Sequence, residues 1–287
     1  MFPRPKNYIE NRHTSELLKL SLAIVFSLLG VACRNSVQKE SSDSPSEFDI
    51  PQIIEYKVIN AYPHDTTAYT EGLLFHNGQL FESTGHTNSN PSSRSLFGIV
   101  NFKNGNIKAK AEIDKIKYFG EGIAFLKDRI YQLTDTTHIG FIYNAKTYRK
   151  IGNFYYEGEG WGLTTNGSSL LMSNGSSNIY YREPASFKVV KTLSVTDNNG
   201  PVQNLNELEL INGFLYANQW LTDYILKIDT TNGKVIGKLD LSKLKAEVKI
   251  KYPFSEETNG IAYDSMTDRV YVTGKLWPLF YELKFDH

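Results

Sequence analysis

Five stretches of the chain share one format, and this repeat constrains the fold more than any other feature of the sequence. Each begins with a polar or aromatic residue, runs into an alternating apolar stretch, passes a turn and returns as a second strand. The first reads Glu71-Gly72-Leu73-Leu74-Phe75 with Leu80-Phe81-Glu82-Ser83, and the second Glu121-Gly122-Ile123-Ala124-Phe125 with Ile130-Tyr131-Gln132-Leu133. The third is Trp161-Gly162-Leu163 with Leu170-Leu171-Met172-Ser173, and the fourth Asn206-Glu207-Leu208 with Leu215-Tyr216-Ala217-Asn218. Asn259-Gly260-Ile261-Ala262-Tyr263 with Val270-Tyr271-Val272-Thr273 is the fifth. Turn chemistry separates the two strands each time, as at Asn77-Gly78 and Asn212-Gly213. Copies one to four continue into a second hairpin, for example around Asn104-Gly105 and Asn232-Gly233. The 232 residues from Tyr56 onward thus divide into four-stranded units of about 46 residues, the size of a propeller blade. The fifth copy stops after a third strand at Phe280–Phe285, while Ile54–Asn60 reads as an unpaired strand before the first copy. Pairing those two would close the ring and hide two sheet edges. The expected fold is therefore all-β, a five-bladed β-propeller closed by pairing an N-terminal strand with the last blade. A β-sandwich would leave the fivefold repeat unexplained.

Composition narrows the function classes. Lys plus Arg and Asp plus Glu each number 31, so net charge is zero, which argues against a nucleic-acid binder. The single Cys excludes an intramolecular disulfide framework and any multi-Cys zinc site. The six His show no metal-ligand spacing, and His64 reads as a hydrogen-bonded structural residue. No G-x-S-x-G is present, and Gly158-Glu159-Gly160-Trp161-Gly162 lacks the strand–turn–helix context of a dinucleotide fingerprint. Lys243–Lys251 has helical character and reads as a solvated insertion before the fifth copy.

The first residues carry a different signal. Arg4, Lys6, Arg12 and Lys19 precede an apolar run from Leu20 to Ala32, short for a membrane span but suited to a secretory signal. The run ends in small residues directly before Cys33, a pattern that resembles a bacterial lipoprotein signal with Cys33 as the lipid attachment site. Residues 1–32 are thus expected to be a signal peptide, 33–51 a polar lipid-anchored tether, and 52–287 the propeller. That organisation places the protein in the bacterial cell envelope, touching the membrane through its lipid anchor only.

In a propeller blade, the residue leading into the first strand and the residue leaving the second lie at the same rim. The leading residues are Glu71, Glu121, Trp161, Asn206 and Asn259; the trailing ones are Gly85, Asp135, Gly175, Trp220 and Lys275. Carboxylates, two Trp, amides and a Lys converging on one shallow cup mark it as the expected functional surface.

The residues around these positions also resemble a known family. Tyr62-Pro63-His64-Asp65 with Tyr69-Thr70-Glu71-Gly72-Leu73, Phe119-Gly120-Glu121-Gly122 and Gly158-Glu159-Gly160-Trp161-Gly162-Leu163 look like glutaminyl cyclases of the plant and bacterial type. So do Leu205-Asn206-Glu207-Leu208-Glu209, Ala217-Asn218-Gln219-Trp220 and Thr273-Gly274-Lys275-Leu276-Trp277-Pro278. The resemblance runs through the whole folded part in order. It implies a five-bladed propeller that turns the N-terminal glutamine of a peptide or protein into pyroglutamate, releasing ammonia without a cofactor for catalysis; a structural cation in the channel stays open. It further implies Glu121 as proton shuttle, Lys275 as the cation facing the amide oxygen, and Asn206 as a hydrogen-bonding anchor. Trp161, Trp220, Phe119 and Tyr69 would form walls that exclude water. Two positions depart from the family pattern, Glu71 where Gln is usual and Asp135 where Trp is usual; both add a carboxylate beside Glu121. A monomer acting on peptides is expected. The alternatives are a non-catalytic propeller lipoprotein that captures peptide N-termini, and an interaction scaffold.

Overall fold

The computed structural model describes residues 50–287. The expected signal peptide, the lipid-attachment residue Cys33 and the tether as far as residue 49 lie outside the described residues. Two strands, β1 (Gln52–Ile53) and β2 (Lys57–Pro63), precede the first blade. Blade one is β3 (Tyr69–His76), β4 (Gln79–Gly85), β5 (Leu96–Val100) and β6 (Ile107–Glu112); blade two is β7 (Phe119–Leu126), β8 (Arg129–Asp135), β9 (Ile139–Asn144) and β10 (Lys150–Tyr155). Blade three is β11 (Leu163–Thr165), β12 (Leu170–Met172), β13 (Asn178–Arg182) and β14 (Val189–Ser194), followed by a small hairpin, β15 (Thr196–Asp197) with β16 (Gly200–Pro201). Blade four is β17 (Leu205–Ile211), β18 (Phe214–Gln219), β19 (Tyr224–Asp229) and β20 (Val235–Asp240); after the helix α1 (Ser242–Lys251), blade five is β21 (Thr258–Asp264), β22 (Arg269–Gly274) and β23 (Leu279–Lys284). The hairpin turns follow from their residues: Asn77 and Gly78 both have positive φ, 50° and 70°, as the two-residue type I′ turn requires.

Each blade is one antiparallel sheet in sequence order, and β2 supplies the fourth strand of blade five by pairing with β23 from Lys57↔Lys284 to Pro63↔Leu279. The five-bladed propeller and its closure are as expected, but the closing strand lies three residues further along than Ile54–Asn60. A bulge between Val58 and Asn60 interrupts the alternation of this strand and leaves Val58 and Ile59 facing solvent. Ahead of it, β1 adds to the outer edge of blade four, parallel to β20. That pairing has no counterpart in the sequence pattern.

Five apolar clusters hold the ring, one between each pair of neighbouring blades, and the last joins blade five to blade one through Leu73, Leu80, Ala262 and Phe280. Helix α1 buries Leu244 and Val248 against the blade four–five cluster, so it is packed on one side rather than wholly solvated. Among the described residues no helix is long and apolar enough to cross a membrane.

Close to the axis, backbones meet directly. A Cβ on Gly122 would come within 2.5 Å of Trp161 O and Leu163 N of blade three, and one on Gly162 within 2.1 Å of Asn206 O of blade four. Gly122 N donates to Trp161 O at 2.8 Å through that gap. Where blade four has Glu207 in place of the glycine, its side chain crosses the axis instead. Glu207 accepts from Leu73 N of blade one (3.1 Å) and Ile261 N of blade five (2.8 Å). Two residues on, Glu209 accepts from Tyr263 N at 2.9 Å. Burial pushes both carboxyls up, Glu209 to about 8 and Glu207 well above the ordinary carboxylate range with added repulsion from Glu209.

Candidate active site

The side chains of the cup are aimed by irregularities in the blade ladders. In blade one the register passes from Thr70↔Thr84 to Gly72↔Ser83, leaving Glu71 as the extra residue. The same slip brackets Glu121 in blade two, Asn206 in blade four and Asn259 in blade five. A bulge turns its side chain out of the pleat, and here four of them turn toward one end of the axis. In blade three Trp161 stands just ahead of β11, its backbone N–H donating to Ser173 O at 3.0 Å. The trailing residues Gly85 and Gly175 carry no side chain because rings lie over them: Phe119 fills the space of a Cβ on Gly85, and Trp161 that of one on Gly175.

All nine residues expected in the catalytic and substrate-binding set line one cavity of about 480 Å³. Glu71, Glu121, Asn206 and Lys275 form its buried floor. Half-buried aromatics stand above them in two edge-to-face pairs, Tyr69 with Phe119 (5.9 Å between centroids) and Trp161 with Trp220 (5.5 Å). Asp135 is half-buried on the wall. Five further lining residues escaped the sequence reading: His86, Thr87 and Asn88 after β4, and Glu256 and Glu257 before β21. The first three directly follow a trailing position and the last two shortly precede a leading one; extending the rim rule by three residues each way would have found them.

Lys275 and Glu71 are a buried ion pair: Nζ donates to Oε1 at 2.6 Å, and the same ammonium sits 4.5 Å from the centre of the Tyr69 ring. Asn259 Nδ2 donates to the other Glu71 oxygen at 3.0 Å, which fixes that carboxylate in place. Lys275 therefore already has one anion, but a lysine ammonium carries three donors and two are left for a guest. Burial alone would pull Lys275 down; the Glu71 and Glu121 carboxylates outweigh it and raise it. Burial likewise pushes Glu71 up to about 7, against the pull of Lys275.

Glu121 differs from Glu71 in having nothing to hold. It is 6% exposed, and its Oε2 is buried with no hydrogen-bond partner, as are Asn206 Oδ1 and Asp135 Oδ1. Burial first, then the charge on Glu71, drives Glu121 well above the ordinary carboxylate range, with Lys275 opposing. Asp135 is raised as well, mainly by burial and then by Glu159. The floor thus offers an acid–base group of raised pKa, an ammonium and an amide acceptor beneath aromatic walls. Such a set can orient a small polar guest and move a proton on it.

His64 stands apart from the cup, buried, with Nε2 3.0 Å from Glu82 Oε1 and Nδ1 3.1 Å from Thr273 Oγ1, as a structural histidine would. Among the described residues no group of three or more His, Cys, Asp or Glu is arranged to hold a metal ion.

Comparison with known proteins agrees with this geometry. A sequence model of the glutamine cyclotransferase family matches residues 27–285. The chain is 38% identical over 245 residues to a glutaminyl-peptide cyclotransferase of Arabidopsis thaliana, covering 84% of this chain and 75% of that protein. It is also similar to the crystal structure of Myxococcus xanthus glutaminyl cyclase, with a TM-score of 0.75 and 34% identity over 82% of this chain and 98% of the other.

Proposed function

The chain belongs to the glutamine cyclotransferase family and is a glutaminyl-peptide cyclotransferase; we propose that Glu121 carries the proton through that reaction while Lys275 and Asn206 hold the reacting groups. In this chemistry the substrate's α-amine and its γ-amide carbonyl arrive on one tether, so the protein has only to fold them together and keep water away. The amine nitrogen bonds to the amide carbon, and the amide oxygen takes up negative charge. A donor of Lys275 not engaged by Glu71 faces that oxygen. Glu121, ionised, takes the proton that the attacking nitrogen must lose and returns it to the departing amide nitrogen. The old carbon–nitrogen bond then breaks and ammonia leaves. Asn206 Oδ1, buried and otherwise unpartnered, accepts from an N–H of the substrate. The aromatic pairs close the sides.

One observation carries this reading: a buried carboxyl with no partner opens into the same cavity as a buried ammonium. Its test is ammonia release from a Gln-initiated peptide by the purified protein and by Glu121→Gln. The variant is expected to keep its melting temperature and a KM within a few-fold, and to lose kcat by roughly 10²–10⁴-fold, the usual worth of a positioned acid–base group. A variant turning over within tenfold of the parent removes Glu121 from the role. Peptide binding without ammonia from the parent would favour the reading of a capture module.

We further infer that the protein is a monomeric lipoprotein of the bacterial envelope, anchored at Cys33, with peptides or proteins bearing N-terminal Gln as its partners. The basic N-terminal residues, the apolar run and the placement of the single Cys support this. Labelling with a fatty-acid analogue in cells, lost in Cys33→Ser, is the corresponding measurement.

A further inference from the structure

The cup carries a charge imbalance that the chain as a whole does not. Overall 31 basic residues balance 31 acidic ones, yet the lining sets Glu71, Glu121, Asp135, Glu256 and Glu257 against one Lys or Arg, Lys275. That lysine is matched by Glu71 at 2.6 Å on the floor. The other carboxyls have no cation of their own in the lining. Three of them are nearer solvent: Asp135, Glu256 and Glu257 are half-buried, while Glu121, like Glu71, is buried on the floor. Glu159 stands exposed beside the wall, with Oε2 accepting from Trp161 Nε1 at 2.9 Å. His86, the one other residue of the lining able to become a cation, directs Nδ1 to Ser93. These are not merely solvated surface acids. The buried floor below them presents unpartnered polar atoms on Glu121 and Asn206, and Asp135 Oδ1 on the wall is buried without a partner too.

We propose that the rim carboxylates Asp135, Glu159, Glu256 and Glu257 select peptides with Lys or Arg directly after the N-terminal glutamine. The inference rests on the cyclotransferase reading, because it is that reaction which fixes the glutamine against Glu121 and Lys275. With the amine and γ-amide on the floor, the next residue lies one step of about 3.3–3.6 Å toward the opening. Its side chain then meets the half-buried acids and not the floor. A long flexible cation can reach them from there, and its apolar stem can lie on the Trp and Phe walls. An acidic side chain at the same place faces the like charge of these carboxylates, which acts as exclusion.

The experiment measures kcat/KM for peptides beginning Gln-Lys, Gln-Ala and Gln-Glu, at low and high salt. The parent is compared with Asp135→Asn/Glu159→Gln and with Glu256→Gln/Glu257→Gln. Expected is a preference of at least tenfold for Gln-Lys over Gln-Glu at low salt, reduced at high salt and collapsing in one or both double variants. Because the readout is a ratio within each protein, a general loss of activity does not mimic it. Cyclisation of all three peptides within twofold overturns this inference and leaves the cyclotransferase reading standing. So does a preference that survives both double variants. Failure to cyclise any of them overturns both.

Discussion

Lys275 Nζ lies 2.6 Å from Glu71 Oε1, a pair joined across 204 residues and across the seam where the ring closes. Glu71 is also where the chain departs from the Gln expected by family resemblance. The cation of the active site is thus partly neutralised before substrate arrives, and Glu121 has a second carboxylate as neighbour.

That pair predicts a shift in pH dependence. Glu121 is raised by burial and then by Glu71, so its base form is lost as pH falls through a pKa above the ordinary range. Glu71→Gln removes the repelling charge and frees Lys275, and both changes favour ionised Glu121. Asp135 and Glu159, the other acids acting on Glu121, stay in place. The acid limb of kcat/KM is expected to move to lower pH than in the parent. Superimposable profiles would mean that another group sets that limb.

The edge-to-face pair of Trp161 and Trp220 walls the cavity above Asn206. Trp220→Ala is expected to raise KM by about tenfold, since a buried aromatic contact is typically worth roughly 1–2 kcal/mol. kcat should change less, because neither ring moves a proton. Steady-state kinetics on one peptide decides this; a fall confined to kcat would contradict it.

Gly162 leaves no room for a methyl group, its Cβ position being 2.1 Å from Asn206 O. Backbone must shift in Gly162→Ala, at a cost of about 1–3 kcal/mol, seen as a loss of several degrees in melting temperature. The shift displaces Asn206, so activity should fall further than stability alone explains. A variant with parental melting and kinetics would show that the blades are not in contact there.

Glu209 makes stability depend on pH. Its folded pKa, about 8, lies above the ordinary carboxyl value of 4.5, so the folded chain holds a proton the unfolded chain releases. The resulting stabilisation is present at acid pH and lost as pH rises from about 4.5 toward about 8. Glu209→Gln keeps an acceptor for Tyr263 N without the ionisation. Its melting temperature should decline less over that window than the parent's, by a few degrees. Parallel curves would refute the assignment.

Much of this molecule was legible in its sequence because the repeat places equivalent residues at equivalent positions. Knowing only that leading and trailing residues share a rim, one collects Glu121, Asn206, Trp220 and Lys275 into one cup. What the repeat does not encode was missed. The closing strand was placed three residues early, its own alternation being interrupted by the bulge at Val58–Asn60, and β1 is too short for any pattern. Glu256 and Glu257 sit in a loop after an inserted helix, three and two residues ahead of the leading Asn259, beyond the single leading position that the rim rule takes from each blade. The Glu71–Lys275 pair depends on the ring's closing seam, which sequence neighbours cannot report.

The register slips at the head of the inner strands have a wider consequence. Three of them add one side chain each to the cup, and the fourth sets Asn259 behind Glu71, while the rest of each strand remains in the barrel-like wall, so chemistry and scaffold are carried by different residues of one segment. Exchanging Glu121, whose carboxyl bonds to no neighbouring blade, alters what the molecule can do to a guest with the inter-blade packing left as it is, whereas Glu71 is tied to Lys275 and Asn259 of blade five. A chain built this way can drift from one reaction to a neighbouring one by single substitutions.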